Sequence, residues 1–423
     1  MSPRRRPTVL ASTLPVLIGA VPLAGQDTTF VRSDDPPVWS GTRLVEEQRI
    51  GVLEGDERYI FGQVSYAAPV ADGSVWVVDA QGPRVRIYDR AGRYVRDVSR
   101  PGEGPGEIAS VMGIDVTPEG RVAVWDLRNA RVSLYRPDGE YDESLRVVSG
   151  WWVEESFQVD RSGRFWVFTS IDNPACMRTY TAPDGTTREI GSEGPGCQTA
   201  AYLRFASDGE PLDTVDIPLP ETTERVPSFV VMLPEGGVQP FVPEWSYALS
   251  PLGYLVTAHS MRYAIHLHTP GPGGTGVTTI LRDWGPVRLT RGERAEWQAR
   301  ADFYSRRLRA GAASYGVQIP EMKPALRSVD VDHDGRIWVN RYVEAEERTD
   351  VKPRSDPDRP PALTWREPPT FDVFEPSGRF LGTVTTPWNV RVLWRHDDVL
   401  WGVLRGEFDE NYVVRYRLVT DGG

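Results

Sequence analysis

The sequence predicts an all-β protein, a six-bladed β-propeller of four-stranded blades. Two observations carry most of this. Residues 73–92 (GSVWVVDAQGPRVRIYDRAG) and 120–139 (GRVAVWDLRNARVSLYRPDG) are copies of one phrase, 47 residues apart and aligned without a gap. Each copy runs Gly turn, strand, Asp turn, Arg-Val strand, Gly turn, and strand-turn-strand content at a period in the forties is the pattern of a propeller blade. Weaker copies continue to the C-terminus, so the 423 residues read as one large domain rather than two or three.

The elements follow in order. VWVVD and RVRIYD in the first copy, and VAVWD and RVSLY in the second, alternate β-branched and aromatic residues between Gly and Asp, the signature of hairpin strands. The third unit contains SFQV (156–159) and SGRFWVFTS (162–170). Its outer hairpin falls either at MRTYTAPDGTTREIG (177–191) or at YLRFASDGEPLDTVDIP (202–218). The second is preferred, which leaves 172–200 as an insertion. The fourth unit is SPLGYLVTAHS (250–260) followed by MRYAIHLH. One inserted helix is expected near 290–312, where Thr290 and Glu293 have capping-box spacing and Gly311 lies near the end. The fifth unit is DVDHDGRIWVNRY (330–342) with TFDVFEPSGRFLGTV (370–384), separated by a long polar, Pro-rich loop at 343–369. The sixth, VRVLWRHDDVLWGVL (390–404) with YVVRYRLV (412–419), supplies only three strands. An unclosed ring would leave sheet edges open to foreign strands. TRLVEEQRIGVL (42–53) alternates like a strand and is expected to complete the C-terminal blade, so that 42–420 forms a single closed domain.

Residues 1–25 (MSPRRRPTVLASTLPVLIGAVPLAG) have three Arg, a short apolar run broken by Pro and a small-residue end, which predicts a signal peptide and a secreted or periplasmic protein. Residues 26–41 are expected to be a flexible N-terminal segment. No later segment is apolar enough to be an integral membrane span. The net charge of −11 argues against nucleic acid as a partner. A monomer is expected. The two cysteines, Cys176 and Cys197, both fall in the 172–200 insertion. In an oxidising compartment they are expected to form a local disulfide worth about 3 kcal/mol in the chain-entropy model.

DLRNARVSLY (126–135) resembles the D-x-x-N-x-R-V pattern of NHL repeats, and DAQGPRVRIYD (79–89) matches it with Gly82 in place of Asn. The linker PGEGPGEIAS (101–110), IPEMKPAL (319–326), DGRIWV (334–339), FDVFEPSGRFLG (371–382) and DENYVVRYRL (409–418) are similar to segments of secreted bacterial six-bladed propellers, NHL-like or TolB-like. The resemblance spans nearly all of residues 55–419. It implies the six-bladed fold and transfers no activity, because fold alone does not license function.

Several residues are candidates for chemistry. Asp79 and Asp126 recur at one blade position, each five residues before an Arg (Arg84, Arg131), and are expected to cap the turn and pair with that Arg. Lys323 in PEMKP, one of only two lysines, and Glu103 and Glu107 in the Gly-rich linker are candidates for ligand contact at a channel mouth. DVDHDG (330–335) opens like a calcium loop but has Arg341 where the twelfth-position Glu belongs, which favours an ordinary turn. His266 and His268 share a strand face and could seat a metal only with further ligands. The leading expectation is a binding or scaffold propeller for a peptide, glycan or envelope protein, without a cofactor. The alternative is a calcium-dependent lactonase- or esterase-like hydrolase. In it a channel metal would be held by ligands drawn from Glu154, Glu155, Asp115, Asn340 and Asn389, and would polarise a carbonyl.

Overall fold

The computed structural model describes residues 28–81, 84–147, 157–172, 178–181, 187–190, 198–218, 240–271, 274–307, 319–351 and 358–421. Six antiparallel sheets form the ring. From the channel outward, blade one is Val64–Pro69, Val75–Asp79, Arg84–Tyr88 and Tyr94–Asp97, and the other blades follow in the same order. Blade two is Val111–Val116, Val122–Asp126, Arg131–Tyr135 and Tyr141–Arg146. Blade three is Phe157–Val159, Phe165–Asp172, Gln198–Phe205 and Pro211–Asp216. Blade four is Trp245–Leu249, Leu255–His259, Ala264–Gly271 and Gly274–Leu281. Blade five is Leu326–Val331, Ile337–Arg341, Thr370–Phe374 and Phe380–Thr385. Blade six is Val390–His396, Val399–Arg405, Asn411–Val419 and, outermost, Arg43–Ile50 from the opposite end of the chain.

The closure is therefore the composite blade that the sequence predicted, with Arg43 paired to Val419 and Ile50 to Val413. In blade three the preferred outer hairpin also holds. Residues 165–172 pair directly with 198–205, and the insertion carries a small hairpin of its own, Arg178–Thr181 against Thr187–Ile190. Cys176 and Cys197 lie outside the described residues.

One expectation is corrected. Part of the segment expected to be flexible, Thr28–Arg32, adds a fifth strand to blade four, running parallel to residues 277–281. Val31 then packs against the neighbouring blade, where a Cβ on Gly378 would fall 2.8 Å from Val31 Cγ1. Edge pairing of this kind depends on what sits alongside, which a five-residue segment does not reveal.

The core is divided among the blade interfaces. Six clusters of buried residues lie between successive blades, such as Ala68, Trp76 and Val78 of blade one against Val122, Val124 and Tyr135 of blade two. Trp76, Trp125, Trp166 and Trp338 are almost fully buried on second strands. A seventh cluster (Phe241, Leu289 and Ile319 with Trp297 and Tyr342) lies under the inserted helix, α1 (Arg291–Arg307).

This topology sorts the connections into two sets. All first-to-second and third-to-fourth strand turns emerge at one end of the ring. All second-to-third turns and blade-to-blade links emerge at the other. The first end is made of tight turns; the glycines of the two repeated phrases, Gly73 and Gly120, stand there with φ of 87° and 83°, a conformation that residues with a Cβ rarely adopt. The second end carries the long connections: the 172–200 insertion, the 217–244 link from blade three to blade four, the segment holding α1, and the strap at 343–369. Among the described residues no helix is long and apolar enough to cross a membrane.

Candidate functional site

At the long-connection end, the Asp and Arg of the repeat serve the linkers. Asp126 accepts hydrogen bonds from the Ala109 and Ser110 amides (2.7 and 3.0 Å) and from Asn129 Nδ2 (2.7 Å). Asp79 does the same for the Gly62 and Gln63 amides (3.1 and 2.9 Å). The expected Asp126–Arg131 pair is corrected: Arg131 donates instead to the carbonyls of Glu103 (3.2 Å), Gly104 (2.7 Å) and Glu107 (2.7 Å). The Gly-rich linker folds around these bonds, which satisfy carbonyls that no strand partner reaches. Arg84 lies on a described strand, and its side chain falls outside the described set. Glu107 is also part of the linker. It accepts from the Gly104 amide (2.8 Å) and from Arg100 (2.6 Å), which hold its carboxyl below the usual range. Glu103 is exposed and contributes its carbonyl to Arg131.

Lys323 does not sit at a channel mouth. Its side chain is fully buried, and Nζ meets Glu293 Oε1 (2.8 Å), Glu367 Oε1 (3.1 Å) and the Val343 carbonyl (2.8 Å). All three ammonium protons are used, so the residue is a latch joining α1, the strap and blade five. Thr290 caps the helix as the sequence predicts, accepting from the Glu293 amide at 3.1 Å. The Glu293 carboxylate, however, turns to Lys323 instead of completing a capping box. Glu296, one turn on, accepts from the Thr364 and Trp365 amides (2.7 and 3.1 Å) and from the Thr364 hydroxyl. Trp365 covers Gly292, where a Cβ would lie 2.5 Å from the indole nitrogen.

Between α1, the strap and the top of blade five is a cavity of about 680 Å³. Its walls include Glu293, Trp297, Arg300, Arg327, Asn340, Arg341, Trp365 and Arg366. Burial pushes the Glu293 carboxyl up, with Lys323 opposing, and Oε2 has no hydrogen-bond partner. A second cavity of about 1310 Å³ lies between blades six and one, with Asn389, Arg391 and Asn411 in its wall. Val351 and Arg366 border both. Among the proposed metal ligands, Asn340 thus lines one cavity and Asn389 the other, where Asn389 Nδ2 donates to the Arg405 carbonyl at 2.9 Å. Glu154 and Glu155 lie outside the described residues. The structure does not bring Asn340, Asn389 and Asp115 together as one set.

Asp115 belongs to the other end. His333, on the first turn of blade five, reaches across the channel to blade two, with Nε2 3.5 Å from Asp115 Oδ1. Its Nδ1 is 3.0 Å from the Arg395 carbonyl and its ring 5.0 Å from that of Trp394. Burial opposes a charge on His333, but Asp115 and the Arg395 carbonyl outweigh it and raise its pKa. In DVDHDG the middle carboxylate is a turn cap: Asp332 accepts from the Asp334 and Arg336 amides (3.0 and 2.8 Å) and from the Trp338 indole (2.9 Å). Blade three repeats the device with Asp160 and Trp166. Asp330 pairs with Arg395, and Asp334 with His396 at 2.9 Å. Asp334, His396 and Asp397 lie close enough to share a cation but are half-buried to exposed, and nothing else points to one there. His266 and His268 face Thr279 and Thr257, each at 2.9 Å. Burial lowers both, His268 to about 4.

With this geometry in view, comparison with known proteins agrees on architecture. Residues 52–195 match the sequence model of a family described as a 6-bladed beta-propeller. Fold and match together define the class: the chain is a six-bladed β-propeller protein. Solved structures with a similar chain path include a member of the DUF4221 family from Bacteroides vulgatus, 11% identical over 90% of this chain and 99% of that one, with a TM-score of 0.47. Virginiamycin B lyase from Staphylococcus aureus is 10% identical over 89% and 100%, at 0.40. A gluconolactonase from Xanthomonas campestris is 13% identical over 90% and 92%, at 0.36. Similarities this low carry nothing about activity. No curated protein sequence matches the chain.

Proposed function

We propose that this protein is an exported propeller that binds a small glycan- or peptide-sized ligand at its long-connection end, in the cavity between α1, the strap and blade five. The observation that carries this reading is the cavity itself. It falls within the range of about 300–1,000 Å³ usual for ligand sites, and its walls are two insertions held to the ring by buried ion pairs. A turn-only propeller would have no need of either insertion. Residues 1–25, read as a signal peptide, support export. The test is a thermal-shift screen of neutral and acidic oligosaccharides and short peptides against the wild type and against Ala362→Trp, which fills the cavity. A ligand that stabilises the wild type and not the variant supports the reading. Ligands that stabilise both equally, or none across the panel, overturn it.

A further inference from the structure

We infer that the turn end of the central channel is closed by a proton-dependent tie, in which His333 of blade five bridges to Asp115 of blade two. The inference is independent of the ligand cavity, which lies at the other end. In a ring of six, blades two and five stand opposite one another, so a contact between them can form only across the channel. His333 Nε2 lies 3.5 Å from Asp115 Oδ1. Other blades close around the same residue. Its Nδ1 and its backbone amide each lie 3.0 Å from the Arg395 carbonyl of blade six. Arg161, on the first turn of blade three, donates from Nη2 to the His333 carbonyl (3.4 Å) and from its amide to the Pro251 carbonyl of blade four (2.9 Å). The Trp394 ring packs against the imidazole, 5.0 Å between centroids.

The geometry selects one charge state. Each ring nitrogen faces an acceptor, a carboxylate on one side and a carbonyl on the other. A neutral imidazole has one N–H and one lone pair, so either tautomer would turn a lone pair toward an oxygen. Only the imidazolium donates both ways. Asp115 supplies the counter-charge, and the Val116 and Val159 amides hold its carboxylate in place, each donating at 2.8 Å. The other charged groups around the imidazole have partners of their own. From blade six, Arg395 pairs with Asp330, and His396 with Asp334 and Asp397. On blade five itself, Arg336 lies beside Asp332 and Asp334. Blade three brings Arg161, and blade four the Tyr254 hydroxyl, bonded to the Gly335 carbonyl at 2.7 Å. The His333 side chain is 33% exposed, so its proton exchanges with solvent without unfolding of the ring. Burial opposes the charge, but Asp115 and the Arg395 carbonyl outweigh it and raise the pKa. The tie is therefore made below the ordinary histidine value of about 6.5 and is released as pH rises through the higher folded value.

The experiment is nitrogen-15 NMR of the imidazole rings of the purified protein from pH 5 to pH 9, with the His333 signals assigned by their loss in His333→Gln. Both ring nitrogens of His333 are expected to be mostly protonated at about pH 6.5, where a free histidine is half titrated. The midpoint should fall in Asp115→Asn, which keeps the shape and removes the charge. Deuterium exchange of residues 111–118, 157–166 and 330–336 is followed over the same range. Above the His333 midpoint these segments should exchange faster than the intrinsic rise with pH requires, and His333→Gln should abolish that extra step. A His333 ring that is mostly neutral at about pH 6.5 in the wild type would overturn the inference without reliance on any variant. An unshifted midpoint in Asp115→Asn would show that Asp115 is not the partner that matters. Exchange that follows the intrinsic rate straight through the midpoint would show that losing the proton opens nothing, and either result also overturns it.

Discussion

Where first strands turn into second strands, blade after blade closes with a short turn capped by its own side chains, as Asp160 and Asp332 cap theirs. At the opposite end the same blades carry a helix, a strap and a strand-bearing insertion, and both cavities open there. The two ends are built from one repeat, and the difference lies in how buried charge is used. At the turn end the capping carboxylates Asp160 and Asp332 are met by amides within a few residues, so each stabilises a local loop. At the other end Glu293, Lys323 and Glu367 come from three separate segments, so their pairing sets the shape of a cavity. Local satisfaction makes a scaffold, and long-range satisfaction makes a site.

The largest expected effect tests the long-range latch. Lys323→Met leaves the buried Glu293 without its cation and Glu367 with Arg327 alone, and should destabilise by about 3–5 kcal/mol, measured by denaturant unfolding. A loss below about 1 kcal/mol would mean that the latch is not what holds the strap. Next is the turn end. Asp332→Ala removes the partner of two amides and of the Trp338 indole and should cost about 2–3 kcal/mol without altering ligand binding. A change in binding of similar size would show that the ends are coupled. Smaller is Glu296→Ala, which releases residues 364–365 and should cost about 1–2 kcal/mol while speeding proteolysis within the strap. Equal protection in the variant and the wild type would dissociate the strap from the helix.

The smallest effect is in pH, and it has opposite signs in two blades. His333 has a raised pKa, so its contribution is present below the ordinary histidine value of about 6.5 and is lost as pH rises through its folded value. His333→Gln should therefore cost more at pH 5.5 than at pH 8.5. His268 is lowered to about 4, so it contributes above about 6.5 and the contribution is lost as pH falls toward 4. His268→Gln should flatten the acid side of the stability curve. Melting temperatures across pH 4–9 separate the two, and identical profiles for both variants would contradict the Asp115 contact.

Much of the fold was legible because a propeller writes its period into the chain. Alternation, Asp turns and Gly turns recur, and an edge left open at blade six implied the closure by the segment 42–53, of which Arg43–Ile50 forms the strand. The site was less legible. Lys323 stood out by rarity, and Thr290 and Glu293 by spacing, but capping-box spacing cannot say that the glutamate turns away toward a lysine 30 residues on. Asp126 and Arg131 face one another in register, yet each bonds the linker between blades. Nothing within DLRNARV shows this, because the linker's need for donors arises only once the blades are stacked.

What the sequence by itself determined is whatever depends on neighbours in the chain: strand period, turn chemistry, the helix start at Thr290 and the number of blades. What the tertiary structure alone decided is which distant groups share a space. It seated Thr28–Arg32 on blade four, sent His333 across the channel to Asp115, and gathered arginines from α1, blade five and the strap around one cavity. The physical reason is that hydrogen-bonded turns are closed over a few residues. The partner of a buried charge is chosen by packing, at any separation along the chain.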